Sequence, residues 1–398
     1  VRDDNAARLL DGRAWQDFCA RLAEAGRWVL AFPQPDHPEL RAEGFRYLLG
    51  LVVSGIAQAG ALADPDHPRF VRNPDSQAKW GAENADNQYL WARIRPDASY
   101  RIRGERGSAL DFLIEVKEGY MQLGQAKNYA TLAAHDLALA PDGSFEILLA
   151  AERPAGHAGN FLPLHPDARY LGIRQYFYDW ARERPARFTI ERAEGAGEPP
   201  APLTPARMAE RLDAAGVWTL ETARFWGEWV RELRAAWQPD RIAPARHFAG
   251  GADDIAYGND WWKLAPGDAL LIECEVPDAR YWAFQLCDAW FRTFDYATRQ
   301  TSLNGAQMHV DPDGRFRIVI AHEDPGVPNW LDGCGHPEGM IQYRYVWARS
   351  RPQPALRRVA LAELPRLLPA GHPRVSPAQR RQALAAREAH LQRREPAT

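Results

Sequence analysis

Apolar and polar residues alternate along several short stretches of this chain, each bounded by turn-forming residues. Tyr100 and Ile102 alternate with Arg101 and Arg103, and Phe112, Ile114 and Val116 with Leu113, Glu115 and Lys117. A period of two is the mark of a strand with one face buried. Similar stretches predict strands over 145–151 and 170–177, and later at Leu270/Ile272/Cys274, Trp282/Phe284/Leu286 and Phe316/Ile318/Ile320. A last strand sets Gln342, Arg344 and Val346 on one face and Ile341, Tyr343 and Tyr345 on the other. Elsewhere the spacing is three to four residues, which predicts helices. Trp15, Phe18, Cys19 and Leu22 share one such face, with Gly26 as its stop and Pro33, Pro35 and Pro38 breaking the chain. Phe45, Leu48, Val52 and Ile56 share a second. Beyond a Gly/Pro/Ala-rich linker at 195–205, Thr204 and Pro205 open a helix that Gly216 ends, and another follows through Leu220, Ala223 and Val230. Ser376-Pro377-Ala378-Gln379 is a capping-box start for a C-terminal helix rich in Arg, with Leu384 and Leu391 as its large apolar anchors.

The strand-forming stretches repeat. Pro141-Asp142-Gly143-Ser144-Phe145 is answered by Pro312-Asp313-Gly314-Arg315-Phe316, Asn160-Phe161-Leu162 by Asn329-Trp330-Leu331, and Arg174 by Arg344. The offset stays near roughly 170 residues, too long for a solenoid and suited to a duplicated domain. Strands with long returns, twice over, predict an α+β chain with two duplicated β-sandwich or jelly-roll-like units. The expected order is an N-terminal helical region (1–84), a first β unit (85–197), a helical connector (198–240), a second β unit (241–362) and a helical tail (363–398). Duplication also filters function: residues shared by both copies build the fold, and residues gained by one copy are candidates for chemistry.

Composition narrows the classes. The 398 residues carry a net charge of -3, which gives no electrostatic case for nucleic acid or an anionic membrane. No apolar run is long enough to span a bilayer and no signal peptide is visible, although the opening Val1 leaves room for a removed leader. The four cysteines lack C-x-x-C spacing and fit a reducing, cytoplasmic setting. No nucleophile elbow, P-loop or dinucleotide fingerprint is present, so no cofactor is expected.

The densest set of ionisable groups runs from His322 to His336. The duplication filter picks His322, Asp324, Asp332 and His336 from it, because His322 stands opposite Ala151 and Asp324 opposite Arg153. Imidazole beside carboxylate suits acid/base work near neutral pH. Local backbone hydrogen bonding in a Gly/Pro-rich loop is the plainer explanation for any one of them. A metal reading of His322-x-Asp324 with His336 matches no strong ligand spacing, and no metal is assigned. Arg344 beside Gln342 is suited to anchoring a carboxylate, sulfate or phosphate, although its counterpart Arg174 argues for an ion pair holding the strand. Trp290, Asn304 and Trp330 complete the candidate ligand-binding set, against the commoner use of Trp in cores.

Several stretches together resemble the DUF1214 family, whose members are often joined to DUF1254. Tyr281-Trp282-x-Phe284-Gln285-Leu286, Arg299-Gln300-Thr301-Ser302-Leu303-Asn304 and His322-x-Asp324-Pro325-Gly326-Val327-Pro328-Asn329-Trp330 carry it in the second copy. Asn84-Ala85-Asp86-Asn87-x-Tyr89 and Tyr100-Arg101-Ile102 carry it in the first, with Ala85 where such proteins tend to have Pro. The resemblance implies β-sandwich or jelly-roll units with helical segments, and no established activity. The function expected from the residues is acid/base or hydrolytic chemistry on a small polar, anionic or aromatic compound. The alternatives are a non-catalytic ligand- or glycan-binding protein and a structural protein that self-associates through sandwich edges.

Overall fold

The computed structural model describes residues 2–31, 37–195, 197–247 and 254–395. The chain forms two compact units, and both are discontinuous. The first comprises Val1–Trp80, Asn87–Phe177 and Glu183–Gly227, and the second Gly81–Asp86, Tyr178–Arg182 and Glu228–Thr398. Hydrophobic periodicity has no means of marking the two short inserts, because neither is an element.

In the first unit α1 (Arg2–Leu10), α2 (Arg13–Leu30) and α3 (Pro38–Ala59) precede nine strands. These are β1 (Val71–Arg72), β2 (Asn87–Arg93), β3 (Tyr100–Glu105), β4 (Asp111–Lys117), β5 (Asn128–Ala133), β6 (Ser144–Ala150), β7 (Asn160–Pro163), β8 (Tyr170–Tyr176) and β9 (Arg187–Arg192). They form two sheets, ordered β1-β2-β8-β4-β5 and β7-β6-β3-β9. Phe112, Ile114 and Ile173 from one sheet meet Ile102, Ile147 and Leu149 from the other in a shared core. The alternation read from the sequence is therefore the alternation of core and outer faces of a sandwich.

Helix α4 (Pro205–Ala235) follows, and then the strands of the second unit. These are β10 (Ile255–Lys263), β11 (Asp268–Glu275), β12 (Ala279–Cys287), β13 (Ser302–Asn304), β14 (Arg315–Ala321), β15 (Trp330–Asp332), β16 (Glu338–Ala348) and β17 (Ala355–Ala360). Helices α5 (Leu364–Leu367) and α6 (Pro377–Arg394) end the chain. The sheets run β10-β16-β12-β13 and β15-β14-β11-β17. Strand for strand this matches β2-β8-β4-β5 and β7-β6-β3-β9, including the one parallel pairing in each copy, β6 with β7 and β14 with β15. The sequence repeat is thus a repeat of topology, and the fold is α+β with two sandwiches. Among the described residues no helix is long and apolar enough to cross a membrane.

The helices depart from expectation in three places. Gly26 lies inside α2, and the buried face of that helix is Ala14, Phe18, Ala25 and Val29, with Trp15 and Cys19 exposed. Small residues win that face because α2 packs closely on α4 through Ala209, Leu212 and Ala215. Gly216 does not end a helix either: α4 runs through it, and a side chain there would press on Phe18 and Arg21. In α3 the buried face is Leu40, Gly44, Tyr47, Leu51, Ser54 and Gln58, whereas Phe45, Leu49, Val53 and Ile56 are exposed. Polar partners decide this orientation: Ser54 donates to Asn73 and Gln58 bonds both Tyr120 and Tyr170. Pro38 is the first residue of α3, and the breaks at Pro33 and Pro35 lie outside the described residues.

At Gly55 of α3 an added Cβ would meet the Thr219 hydroxyl and lie 2.8 Å from the Ala215 carbonyl of α4. Gly55→Ala is expected to destabilise the first unit by about 1–3 kcal/mol, the range for overpacking a tight contact. Denaturant unfolding would read it as a lowered midpoint, and an unchanged midpoint would show that the two helices part freely at this point.

Candidate functional site

Strand β16 turns Ile341, Tyr343 and Tyr345 into the sandwich core and leaves Gln342 and Arg344 on its other face. Register sets Tyr257 of β10 and Ala283 of β12 beside Arg344, and Asn259 and Gln285 beside Gln342. Strand β13 extends these rows with Asn304 and Ser302. An outer face of this kind would normally be solvated, yet these polar residues are buried. They satisfy one another in an amide ladder: Gln285 donates to Gln342 at 3.0 Å, and Gln342 donates to Asn259 at 2.9 Å. Gln285 also accepts from the Ala85 backbone N–H and donates to the Glu83 carbonyl, which fixes the segment Gly81–Asp86 on the sheet.

Arg344 is the exception within this network. It is only 4% exposed, lies over the Tyr257 ring at 5.7 Å, and donates through Nη2 to the Ala82 carbonyl at 3.2 Å. Its Nε and Nη1 are buried and meet no acceptor among the described residues. Of the carboxylates in the adjoining segment, Glu83 accepts from Thr293 through Oε1, and Asp86 accepts from Tyr281, Asn304 and Trp180.

The first copy shows what Arg344 lacks. Arg174 of β8 lies over Tyr89 at the same 5.7 Å and pairs with buried Glu115 at 3.4 Å. Burial alone would raise the Glu115 pKa, but Lys117 and Arg174 outweigh it and hold the carboxyl below its ordinary value. Glu115 stands opposite Gly172, two positions along β8 from Arg174, and Gln285 stands opposite Gln342, two positions along β16 from Arg344. The second copy therefore carries an amide where the first carries the carboxylate. Among the described residues the strand-holding ion pair is present at Arg174 and not at Arg344.

Asp86 lies on the same face. It accepts from the Tyr281 hydroxyl at 2.6 Å, Trp180 Nε1 at 2.8 Å and Asn304 at 2.9 Å. Burial raises its pKa, against the hydrogen bonds from Tyr281 and Asn304 and the charges of Arg387 and Arg394. Those two arginines belong to α6, which buries Arg380, Arg387 and Arg394 together with the expected anchor Leu391, while Leu384 is half-buried. Arg387 stacks on Trp180 at 4.6 Å and bonds the Tyr296 carbonyl and the Ser302 hydroxyl, and burial lowers its pKa to about 10. His390 stacks on Trp180 at 4.7 Å, and burial first, then Arg394, lower its pKa to about 3, so the ring is neutral.

The sequence candidates fall in separate places. Arg344, Gln342 and Asn304 share the buried sheet face, and Asn304 is held by Asp86. Trp290 is buried in the turn after β12 with its Nε1 unmatched, and Trp330 belongs to β15, where Arg380 lies over it at 5.1 Å. The pairing of β14 with β15 sets Asp332 opposite Ala321 and lays the His322 ring against Gly333. Asp332 pairs with Arg299 at 2.7 Å, Asp324 pairs with Arg380 at 2.9 Å, and His336 lies on Phe294 at 4.5 Å. Among the described residues, the side chains grouped as a metal site would require are those of His309, Asp311 and His372, not His322, Asp324 and His336.

Two family models match the chain. That for "Protein of unknown function (DUF1214)" matches residues 92–177, and that for "Protein of unknown function (DUF1254)" matches residues 233–344. The DUF1254 match thus lies on the second sandwich, where most of the quoted DUF1214-like motifs fall. An uncharacterized protein of known crystal structure from Burkholderia cenocepacia is 35% identical, with a TM-score of 0.84 over 90% of this chain and 99% of that one. The VPA0106 protein from Vibrio parahaemolyticus is 12% identical with a TM-score of 0.47, covering 78% of this chain and 97% of that one. No curated protein matches the chain.

Asp86 offers a test of the buried face through pH. Its raised pKa means that the folded state keeps the proton to a higher pH than the unfolded chain does. The associated stability is fully present below the ordinary carboxylate value of about 3.9 and is lost as pH rises through the folded value. The stability of the protein minus that of Asp86→Asn should therefore fall as pH rises across this window. The fall should reach about 1.4 kcal/mol for each pH unit that separates the folded from the ordinary value. Denaturant unfolding at several pH values measures it, and a difference that grows with pH would show that the arginines dominate.

Proposed function

The chain belongs to the family that joins DUF1254 to DUF1214, proteins of unknown function, and on that premise we propose that its second sandwich binds a small organic anion at Arg344. The observation that carries this reading is the buried guanidinium with Nε and Nη1 unmatched, set against the closed Arg174–Glu115 pair of the first copy. Leaving a cation buried without a partner costs several kcal/mol, on the order of 3–5 in measured cases, and a bound anion removes that cost. A carboxylate fits the guanidinium best, because it accepts parallel hydrogen bonds from a planar fork. Tyr257 below the guanidinium and the amide ladder beside it would set the orientation of such a ligand.

Turnover is a second reading with an observation of its own. Asp86 holds its proton to raised pH and accepts a 2.6 Å hydrogen bond from Tyr281, whose own pKa is influenced by Arg344. This pair is better placed to exchange a proton with a ligand on Arg344 than Asp324 and Asp332, which are held by Arg380 and Arg299. Four free cysteines support the expected reducing, cytoplasmic setting.

Thermal-shift measurements against small carboxylates, phosphates and sulfates test the proposal. A ligand at about 100 times its Kd should stabilise the protein by about 2.7 kcal/mol. Arg344→Ala should remain folded, since it removes an unpaired charge, and should lose that response. Gln285→Glu would place a carboxylate beside the guanidinium as in the first copy, at the cost of the bonds that Gln285 donates to Gln342 and Glu83, and should also abolish the response. Equal stabilisation of the protein and Arg344→Ala would overturn the assignment.

A further inference from the structure

The duplication points to a second gain of chemistry, on a loop that the anion site does not use. In the first copy the turn before β6 reads Ala138-Leu139-Ala140-Pro141-Asp142-Gly143, and in the second copy the turn before β14 reads His309-Val310-Asp311-Pro312-Asp313-Gly314. The two backbones make the same bonds. Ala140 N–H donates to Ser144 and Asp311 N–H to Arg315, while Gly143 N–H returns to Ala140 and Gly314 N–H to Asp311. Asn160 clamps both backbone groups of Ala138, and Asn329 clamps both backbone groups of His309. The scaffold is shared, and only the second copy places an imidazole and a carboxylate on it, at alternate positions of the segment.

We propose that His309, Asp311 and His372 form a binding site for one divalent transition-metal ion. His309 Nε2 lies 3.2 Å from Asp311 Oδ1, His372 Nδ1 lies 2.8 Å from the same oxygen, and the three ligand atoms all fall within 4.8 Å of one another. Ligands about 2.0–2.1 Å from a common ion stand about 2.9 Å apart in octahedral geometry and about 3.3 Å apart in tetrahedral geometry. The two contacts to Asp311 already match that spacing. Arg317 donates to the other carboxylate oxygen at 2.7 Å, which fixes the carboxylate plane in the way outer partners orient metal ligands.

Burial favours an ion over a simple hydrogen-bonded cluster. The Asp311 side chain is fully buried, and that of His372 is 4% exposed with its Nε2 unmatched. The His309 side chain is 32% exposed, so the set is closed on one side and open to solvent on the other. Two imidazoles and one carboxylate with open positions select zinc, iron(II), cobalt(II) or manganese(II) over magnesium or calcium, which prefer all-oxygen sets. His372 comes from the stretch between α5 and α6, which has no counterpart in the repeat, so the site is completed by the tail of the chain.

Cobalt(II) alone is the probe. Titration of the metal-free, full-length protein should show one equivalent bound, with a d–d absorption band that added zinc removes and magnesium leaves unchanged. His309→Ala, which lies partly exposed, and His372→Gln should each weaken binding by about 100-fold or more, since even outer-partner losses cost 10–100-fold. Far-UV circular dichroism of each metal-free variant confirms that it is folded. A stoichiometric site that survives in His309→Ala, or no cobalt binding in the unmodified protein, would overturn the proposal. Neither result bears on Arg344, which lies on the other sheet of the sandwich.

Discussion

A guanidinium removed from water has to find acceptors or an aromatic face, and among the described residues the second unit buries six of them, Arg292, Arg317, Arg344, Arg380, Arg387 and Arg394. Arg380, Arg387 and Arg394 repeat every seven residues along α6, so they share one face of the helix. Each is matched. Arg380 takes Asp324, Gln300 and the Val327 carbonyl, Arg387 takes Ser302 and the Tyr296 carbonyl, and Arg394 takes the Ala85 carbonyl. Trp330 and Trp180 supply the aromatic faces. This requirement explains why the polar segment Gly81–Asp86 and the residues around Trp180 belong to the unit: they carry the acceptors. Arg344 has one acceptor, the Ala82 carbonyl, and the Tyr257 face, and its Nε and Nη1 are the atoms to which a ligand would be offered.

The sandwiches are legible in the sequence because period-two alternation reports burial directly, and the duplication is legible because turn chemistry preserves Pro-Asp-Gly in both copies. The helical regions are less so. Phe45 and Ile56 look like a core face, but hydrogen bonds from Ser54 and Gln58 turn α3 the other way, and no hydrophobic count registers that. Likewise Gly26 and Gly216 read as stops, whereas a glycine in a helix that crosses another closely can be a packing residue.

The candidate site is half legible. Arg344, Gln342 and Asn304 stand out because strand alternation puts the first two on one face and polarity marks the third. Gln285 does not, because matching identical residues between the copies pairs Arg174 with Arg344 and passes over their cross-strand neighbours, Glu115 and Gln285. His309 and Asp311 lie just upstream of the shared Pro-Asp-Gly, outside the stretch over which the two copies match by identity. His372 has no signal at all, since its place beside Asp311 is a product of tertiary folding. The arginine face of α6 is written in the heptad spacing but reads as solvated charge until the aromatic partners are known.

These omissions share a physical origin. Each copy buries its own hydrophobic core between two sheets, so the stability of the frame does not depend on what the outer face or the connecting turns carry. That independence lets one copy close its arginine with a carboxylate and fill its turn with alanines, while the other replaces Glu115 by Gln285 and Ala138 and Ala140 by His309 and Asp311. Such exchanges are nearly silent in hydrophobic pattern and large in electrostatics. A buried cation with two nitrogens unmatched is costly as a packing solution, and an anion bound beside it would remove that cost.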